Sequence, residues 1–198
     1  MGRPPSYDRE TALDQALETF WAKGYHATSL KDLEAALKMN PGSIYAAFGS
    51  KDALFEAALD RYAARSKKLW AENGGGYDSP LSSLANFLRD LGGGSPTVQG
   101  PGRACMLIKT LLELSGREGE LGQKARGFLD ANEADFKAVF DRARDLGEIA
   151  PDADTDLLAM RMLSFVFGLR VQLEKEGLTD RVAAHAEDLA QQIEALRV

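Results

Sequence analysis

Few side chains in this chain have the types and spacing that chemistry needs, and those that do crowd into residues 28–52. There Thr28, Ser29, Lys31, Asn40, Ser43, Tyr45 and Lys51 offer hydroxyls, an amide, a phenol and two ammonium groups, with Pro41, Gly42, Ala46 and Ala47 interleaved. Such a set performs no covalent step by itself. It donates hydrogen bonds and charge to phosphates and base edges, and its small residues let a helix lie deep in a groove. Elsewhere the catalytic vocabulary is thin. His26 and His185 stand in no recognisable constellation, so no enzyme is expected. A single cysteine, Cys105, excludes an intrachain disulfide, and with two histidines it supplies no zinc set; neither metal nor cofactor is expected.

The elements that must position the 28–52 set can be read from its punctuation. Ser29 is placed to cap a helix, with Asp32 three residues on in the capping-box position. Leu30, Leu33 and Leu37 then recur at helical spacing and give that helix one apolar face. Lys38-Met39-Asn40-Pro41 ends it, because proline disfavours helix at the residue before it and suits the first turn of the next. Asn40 is the expected N-cap of a second short helix in which only Ile44 and Phe48 need face inward. A third start follows at Ser50. Two short helices joined by a tight polar turn form a helix-turn-helix, and the expected partner is double-stranded DNA.

Residues 7–62 resemble the DNA-binding domain of the tetracycline-repressor (TetR) family of bacterial transcription regulators. The residues that carry the likeness are Phe20, Gly24, Tyr25, Thr28 and Ser29, then Gly42, Ser43, Ile44, Tyr45, Phe48, Ser50, Lys51 and Leu54. Two positions depart from it: Glu34 stands where the family has a small residue, and Lys38 where its turn has glycine. The resemblance implies an all-α fold of nine helices, with a helix-turn-helix domain over 1–50, a linking helix over 51–71 and a ligand-binding and dimerisation domain over 72–198. It also implies a repressor that binds a palindromic operator as a homodimer and is released by a small molecule.

Composition agrees with a chain of 198 residues able to bury a sizeable core, at 44% hydrophobic content. Helix formers dominate and no alternating β-branched runs occur. No apolar run approaches the roughly 18 residues of a membrane span, and the N-terminal MGRPPSYDRE lacks a signal-peptide core, so a cytoplasmic protein without membrane contact is expected. The net charge of −6 argues against a nucleic-acid partner until it is divided. Residues 1–68 hold ten Lys/Arg against nine Asp/Glu, net +1, and residues 69–198 hold fourteen against twenty-one, net −7. DNA affinity must therefore rest on where a few cations sit: Arg9, Lys31, Lys38 and Lys51, and Arg3 in an N-terminal arm that the resemblance places along the minor groove, with a disordered tail as the alternative.

Helices are expected over Asp8–Lys23, Lys51–Ala71, Ser79–Leu91, Arg103–Leu114, Glu118–Leu146, Asp152–Glu176 and Thr179–Arg197, besides the pair above. The stretch 156–173 is apolar nearly all round, as a helix buried on two faces would be. Leu158, Met162, Phe165 and Leu169, with Leu189, Ile193 and Leu196 of the last helix, are expected to meet a second copy; burial within a monomer is the alternative. The effector pocket that the resemblance implies has as candidates Phe87, Met106, Phe128, Phe136, Phe140, Met160, Phe165 and Phe167, with Arg103, Lys109 and Arg170 as polar contacts. Each also suits an ordinary core. Cys105 offers redox or electrophile sensing as a second route to regulation, against an inert buried thiol. A helical protein adaptor is the remaining alternative.

Overall fold

The computed structural model describes residues 8–74, 79–93, 104–114 and 119–198. Among the described residues the chain is all α, with nine helices: α1 (Arg9–Lys23), α2 (Leu30–Leu37), α3 (Pro41–Phe48), α4 (Lys51–Gly74), α5 (Pro80–Gly93), α6 (Met106–Glu113), α7 (Glu120–Asp145), α8 (Thr155–Glu176) and α9 (Asp180–Glu194). Their ends fall where capping chemistry puts them. Asp8 accepts from the amide of Glu10 and opens α1, Asp154 accepts from Leu157 to open α8, and Thr179 accepts from Val182 to open α9. Each such cap contributes about 1 kcal/mol by satisfying an orphan amide. No described helix is long and apolar enough to cross a membrane.

The helices gather into two compact units. The first comprises residues 1–65 and 106–126, the second 66–105 and 127–198. In the first, Leu17, Phe20, Leu33, Ile44, Leu54, Phe55 and Leu59 are almost wholly buried. Phe20 meets Phe55 edge to face, with centroids 4.9 Å apart, and Trp21 meets Tyr62 in the same manner at 5.1 Å. Arg61 of α4 reaches back to α1, forking onto both oxygens of Asp14 at 2.8 and 2.9 Å and bonding Glu10 at 2.6 Å.

The second unit is built on one continuous core drawn from α5, α7, α8 and α9. Its closest approach is between α5 and α9, where a methyl added at Gly92 would stand 2.2 Å from the Ala186 Cβ. On the flank of that contact Arg89 bonds both Glu187, at 2.7 and 3.0 Å, and Glu194, at 2.8 and 3.1 Å. Leu158, Met162 and Leu169 of α8 and Leu189 and Ile193 of α9 all belong to this core, and Phe165 and Leu196 pack against it half-buried. Of the residues expected to face a second copy, the five core members thus have their side chains inside their own subunit, while Phe165 and Leu196 keep part of their surface open; the side of α8 left to solvent also carries Leu157, Met160 and Val171, each more than half exposed.

Candidate nucleic-acid interface

The helix-turn-helix forms from its own local chemistry. Ser29 accepts from the amide of Asp32 at 3.2 Å while the Asp32 carboxylate accepts from the amide and hydroxyl of Ser29 at 2.8 and 2.7 Å, a complete capping box at the start of α2. Lys23 closes on the same carboxylate at 2.5 Å. Hydrogen bonds from Lys23 and Ser29 together hold Asp32 far below the ordinary carboxylate range. The turn out of α2 passes through Lys38 in a left-handed conformation, φ 53° and ψ 38°, which the glycine usual at this place would adopt without strain. Asn40 then accepts from the amide of Ser43 at 2.9 Å and opens α3, with Pro41 in its first turn. Ser50 does the same for Ala53 at 3.0 Å and opens α4.

With Ile44 and Phe48 buried, the rest of α3 is turned outward. Gly42, Tyr45 and Ala46 are exposed, Tyr45 by 44%, and Pro41, Ser43 and Ala47 are partly so. Ser29 capping α2, Lys31 on it and Asn40 in the turn are exposed as well, and Lys51 is partly exposed at the start of α4. Thr28 differs from its neighbours. It is fully buried and its hydroxyl donates to the Gly24 carbonyl at 2.6 Å, so it fastens the turn between α1 and α2 and presents nothing to a groove. Arg3 lies outside the described residues.

The distribution of cations explains how a head of net charge +1 can still attract a polyanion. Lys23, Arg61 and Arg65 are paired with carboxylates at 2.5, 2.6 and 3.3 Å. Arg9 stacks over the Phe48 ring at 5.0 Å and the Lys51 ammonium over the Tyr25 ring at 4.4 Å, contacts that orient a cation without neutralising it. Tyr25 in turn donates its hydroxyl to Asp52. Burial, with that bond and charge adding to it, pushes the Tyr25 phenol up to about 12. The tyrosine is a fixed strut between the turn after α1 and the first turn of α4.

The effector candidates scatter. Phe87 and Phe136 come together, with Trp70 of α4 edge-on to both at 5.0 and 5.2 Å. Phe140 is fully buried core, Phe128, Phe165, Phe167 and Arg170 are partly buried, and Met160 is 55% exposed on α8 and faces no interior pocket. Met106 is buried in the first unit, and Lys109 donates to the carbonyl of Trp21 at 2.8 Å, so its ammonium serves the end of α1. Arg103 lies outside the described residues. Cys105 is a free thiol and buried, at 7% exposure. Sequence reasoning passed over Trp70, whose signal is its size near the far end of α4, and Glu113, whose signal is a carboxylate four residues after Lys109 on an otherwise apolar helix.

Comparison with known proteins decides what this arrangement is. Residues 12–58 match the family model for bacterial regulatory proteins of the tetR family, and residues 97–190 that for the tetracyclin repressor-like C-terminal domain. The HTH-type transcriptional repressor ComR of Escherichia coli K12 is 30% identical over 175 residues, which span 86% of this chain and 81% of that one. The chain belongs to the TetR family. It is therefore a helix-turn-helix transcriptional regulator, and its nine described helices are those of the TetR fold. Among solved structures, a TetR family regulator from Cytophaga hutchinsonii superposes with a TM-score of 0.85 at 22% identity, covering 96% of this chain and 94% of its own. A cysteine mutant of the TetR family regulator CifR, complexed with 26 bp double-strand operator DNA, is 30% identical and covers both chains fully, with a TM-score of 0.77. ComR and CifR are both transcriptional regulators.

Proposed function

We propose that this TetR-family chain is a cytoplasmic repressor that binds a palindromic operator as a homodimer and leaves it when a small molecule occupies the second unit. The observation that carries the reading is the outward side of α3. Its N-terminus is capped by Asn40, its first turns are small or hydroxylated, and Tyr45 stands free of the core. A helix N-terminus with these side chains suits phosphates and base edges of a major groove. Tyr45 and Lys51 hold phosphates on this reading, while Lys31 and Ser43 lie at base edges. ComR, a relative named as a repressor, and the operator complex of CifR support the same direction.

Dimerisation follows from the apolar side of α8, where Leu157, Met160 and Val171 line up with exposed Ser164 and Gly168. An operator read by two recognition helices needs them about 34 to 36 Å apart, or a multiple of it. An effector lowers DNA affinity only through its different affinity for the dimer states that do and do not meet this spacing. The aromatic trio of Trp70, Phe87 and Phe136 is where the second unit offers such a molecule a surface.

Gel shift on promoter fragments tests the reading against an enzyme or an adaptor, since only a regulator retards one palindrome in preference to scrambled DNA. Lys51→Ala should then weaken all duplexes about equally and lower the salt slope by about 1. A changed base preference at constant salt slope would remove Lys51 from the phosphate contacts.

A further inference from the structure

On α6, MLIKTLLE, the two charged side chains are Lys109 and Glu113, one turn apart. That spacing ordinarily gives an ion pair along the helix. Here the two part company. The Lys109 ammonium donates to the carbonyls of Trp21 and Ala22 at 2.8 and 3.4 Å, acceptors left over at the end of α1. The Glu113 carboxylate accepts from the amides of Tyr25 and His26 at 2.9 and 2.5 Å, the donors just beyond that end. Each charge therefore takes one polarity of the backbone where α1 breaks off. Gly24 makes the approach possible: it sits at φ +87°, and a Cβ there would stand 2.8 Å from the carboxylate.

The residue so held is Tyr25, which besides a ring contact with its neighbour His26 reaches across to α4. Its ring lies against Phe55 with centroids 5.0 Å apart and under the Lys51 ammonium at 4.4 Å, and its hydroxyl bonds Asp52. A shift of the turn moves Tyr25, and with it the first turn of α4 where Lys51 stands.

We propose that Glu113 is a positioning residue for DNA binding, fixing the turn at Tyr25 so that the Lys51 ammonium is held toward the phosphate backbone. The proposal rests on the reading of the head as the DNA-binding face. It makes α6 a support of one phosphate contact as well as a packing element of the first unit.

A double-mutant cycle tests it. The probe is a fluorescent duplex selected by the wild-type chain from a randomised pool, and binding is followed by anisotropy over a range of salt, beside thermal unfolding of each variant. Glu113→Gln keeps the size of the side chain but turns an NH2 toward one of the two amides. It should lose about fivefold or more in affinity in the wild-type background and less than about twofold in a Lys51→Ala background. Its salt slope should fall by about 1, as that of Lys51→Ala does. Equal losses in both backgrounds, or an unchanged slope, would overturn the proposal and leave Glu113 a stabilising contact alone. Should Glu113→Gln unfold at the assay temperature, Tyr25→Phe cuts the link at the Asp52 bond without touching α6. The same non-additivity with Lys51→Ala supports the proposal there, and additive losses overturn it. A wild-type chain that selects no duplex would sink the DNA-binding reading itself, and this proposal with it.

Discussion

Lys38 shows how much a single residue can trade. It is the only non-glycine residue with positive φ among the described residues, and it sits in the turn between the two helices of the DNA-reading pair. A left-handed lysine carries strain on the order of 1 kcal/mol, and it keeps at that point a cation with no ion pair among the described residues. Lys38→Gly should raise stability by about 1 kcal/mol in urea unfolding and, if the cation meets phosphate, lower operator affinity in the same protein. A variant no more stable than wild type would mean that the turn relaxes around lysine. The sequence carried this position because a residue where glycine is usual announces its backbone. It did not reveal Thr28, because a threonine next to a helix cap looks the same whether its hydroxyl faces a groove or folds back on Gly24. Nor did it reveal Glu113, whose partners are backbone amides far away in the chain and leave no pattern around it.

Elements were legible in proportion to how local their causes are. The caps at Asp8, Ser29, Asn40, Ser50 and Thr179 act within three residues, and each helix starts where its cap stands. The facing of α8 was not legible, because a helix apolar on several sides does not say which side its own subunit takes; that depends on α5 and α9, joined only in three dimensions. The α5–α9 contact makes its own prediction. Gly92→Ala gains up to about 1 kcal/mol of helix propensity, yet its methyl would stand 2.2 Å from the Ala186 Cβ, and overpacking costs roughly 1–3 kcal/mol. The net effect should be destabilising, with a compensating Ala186→Gly restoring part of the loss, as unfolding midpoints would report. Beside that contact, Arg89 depresses Glu187 from the ordinary 4.5 to about 2 and lowers Glu194 as well. Groups depressed in the folded state lend stability above their unfolded value, and that stability drains away as pH falls toward the folded one. Wild type should therefore lose stability between about pH 4.5 and 2 more steeply than Arg89→Met does. Parallel acid-unfolding curves would show the ion pairs to be idle at this surface.

At the scale of the whole molecule, the proposed function on a palindrome requires a second copy, and the exposed side of α8 is where we propose that it docks. Leu157, Met160 and Val171, each just over half exposed, would be unusual companions on a side turned permanently to water. Met160→Glu should dissociate the proposed dimer in sedimentation without unfolding the subunit, because that side chain is 55% exposed and is not part of the core. Loss of the dimer should also lower operator affinity by far more than any single phosphate contact, since two weakly basic heads bind well only when linked. Release can then be tested as geometry. Spin labels at Ala35→Cys, exposed on α2, with Cys105→Ser to remove the native thiol, would follow the separation of the two heads in solution. Phe87→Trp, which overfills the aromatic trio, should shift that separation and weaken operator binding while the head's own unfolding transition stays in place. The reason is that two rigid helices meet successive grooves only at a fixed spacing, so a dimer biased to another spacing must give up binding energy to return. Should affinity fall while the mean separation holds and only its spread widens, the coupling would be one of dynamics, with the effector acting on how often the two heads are in register.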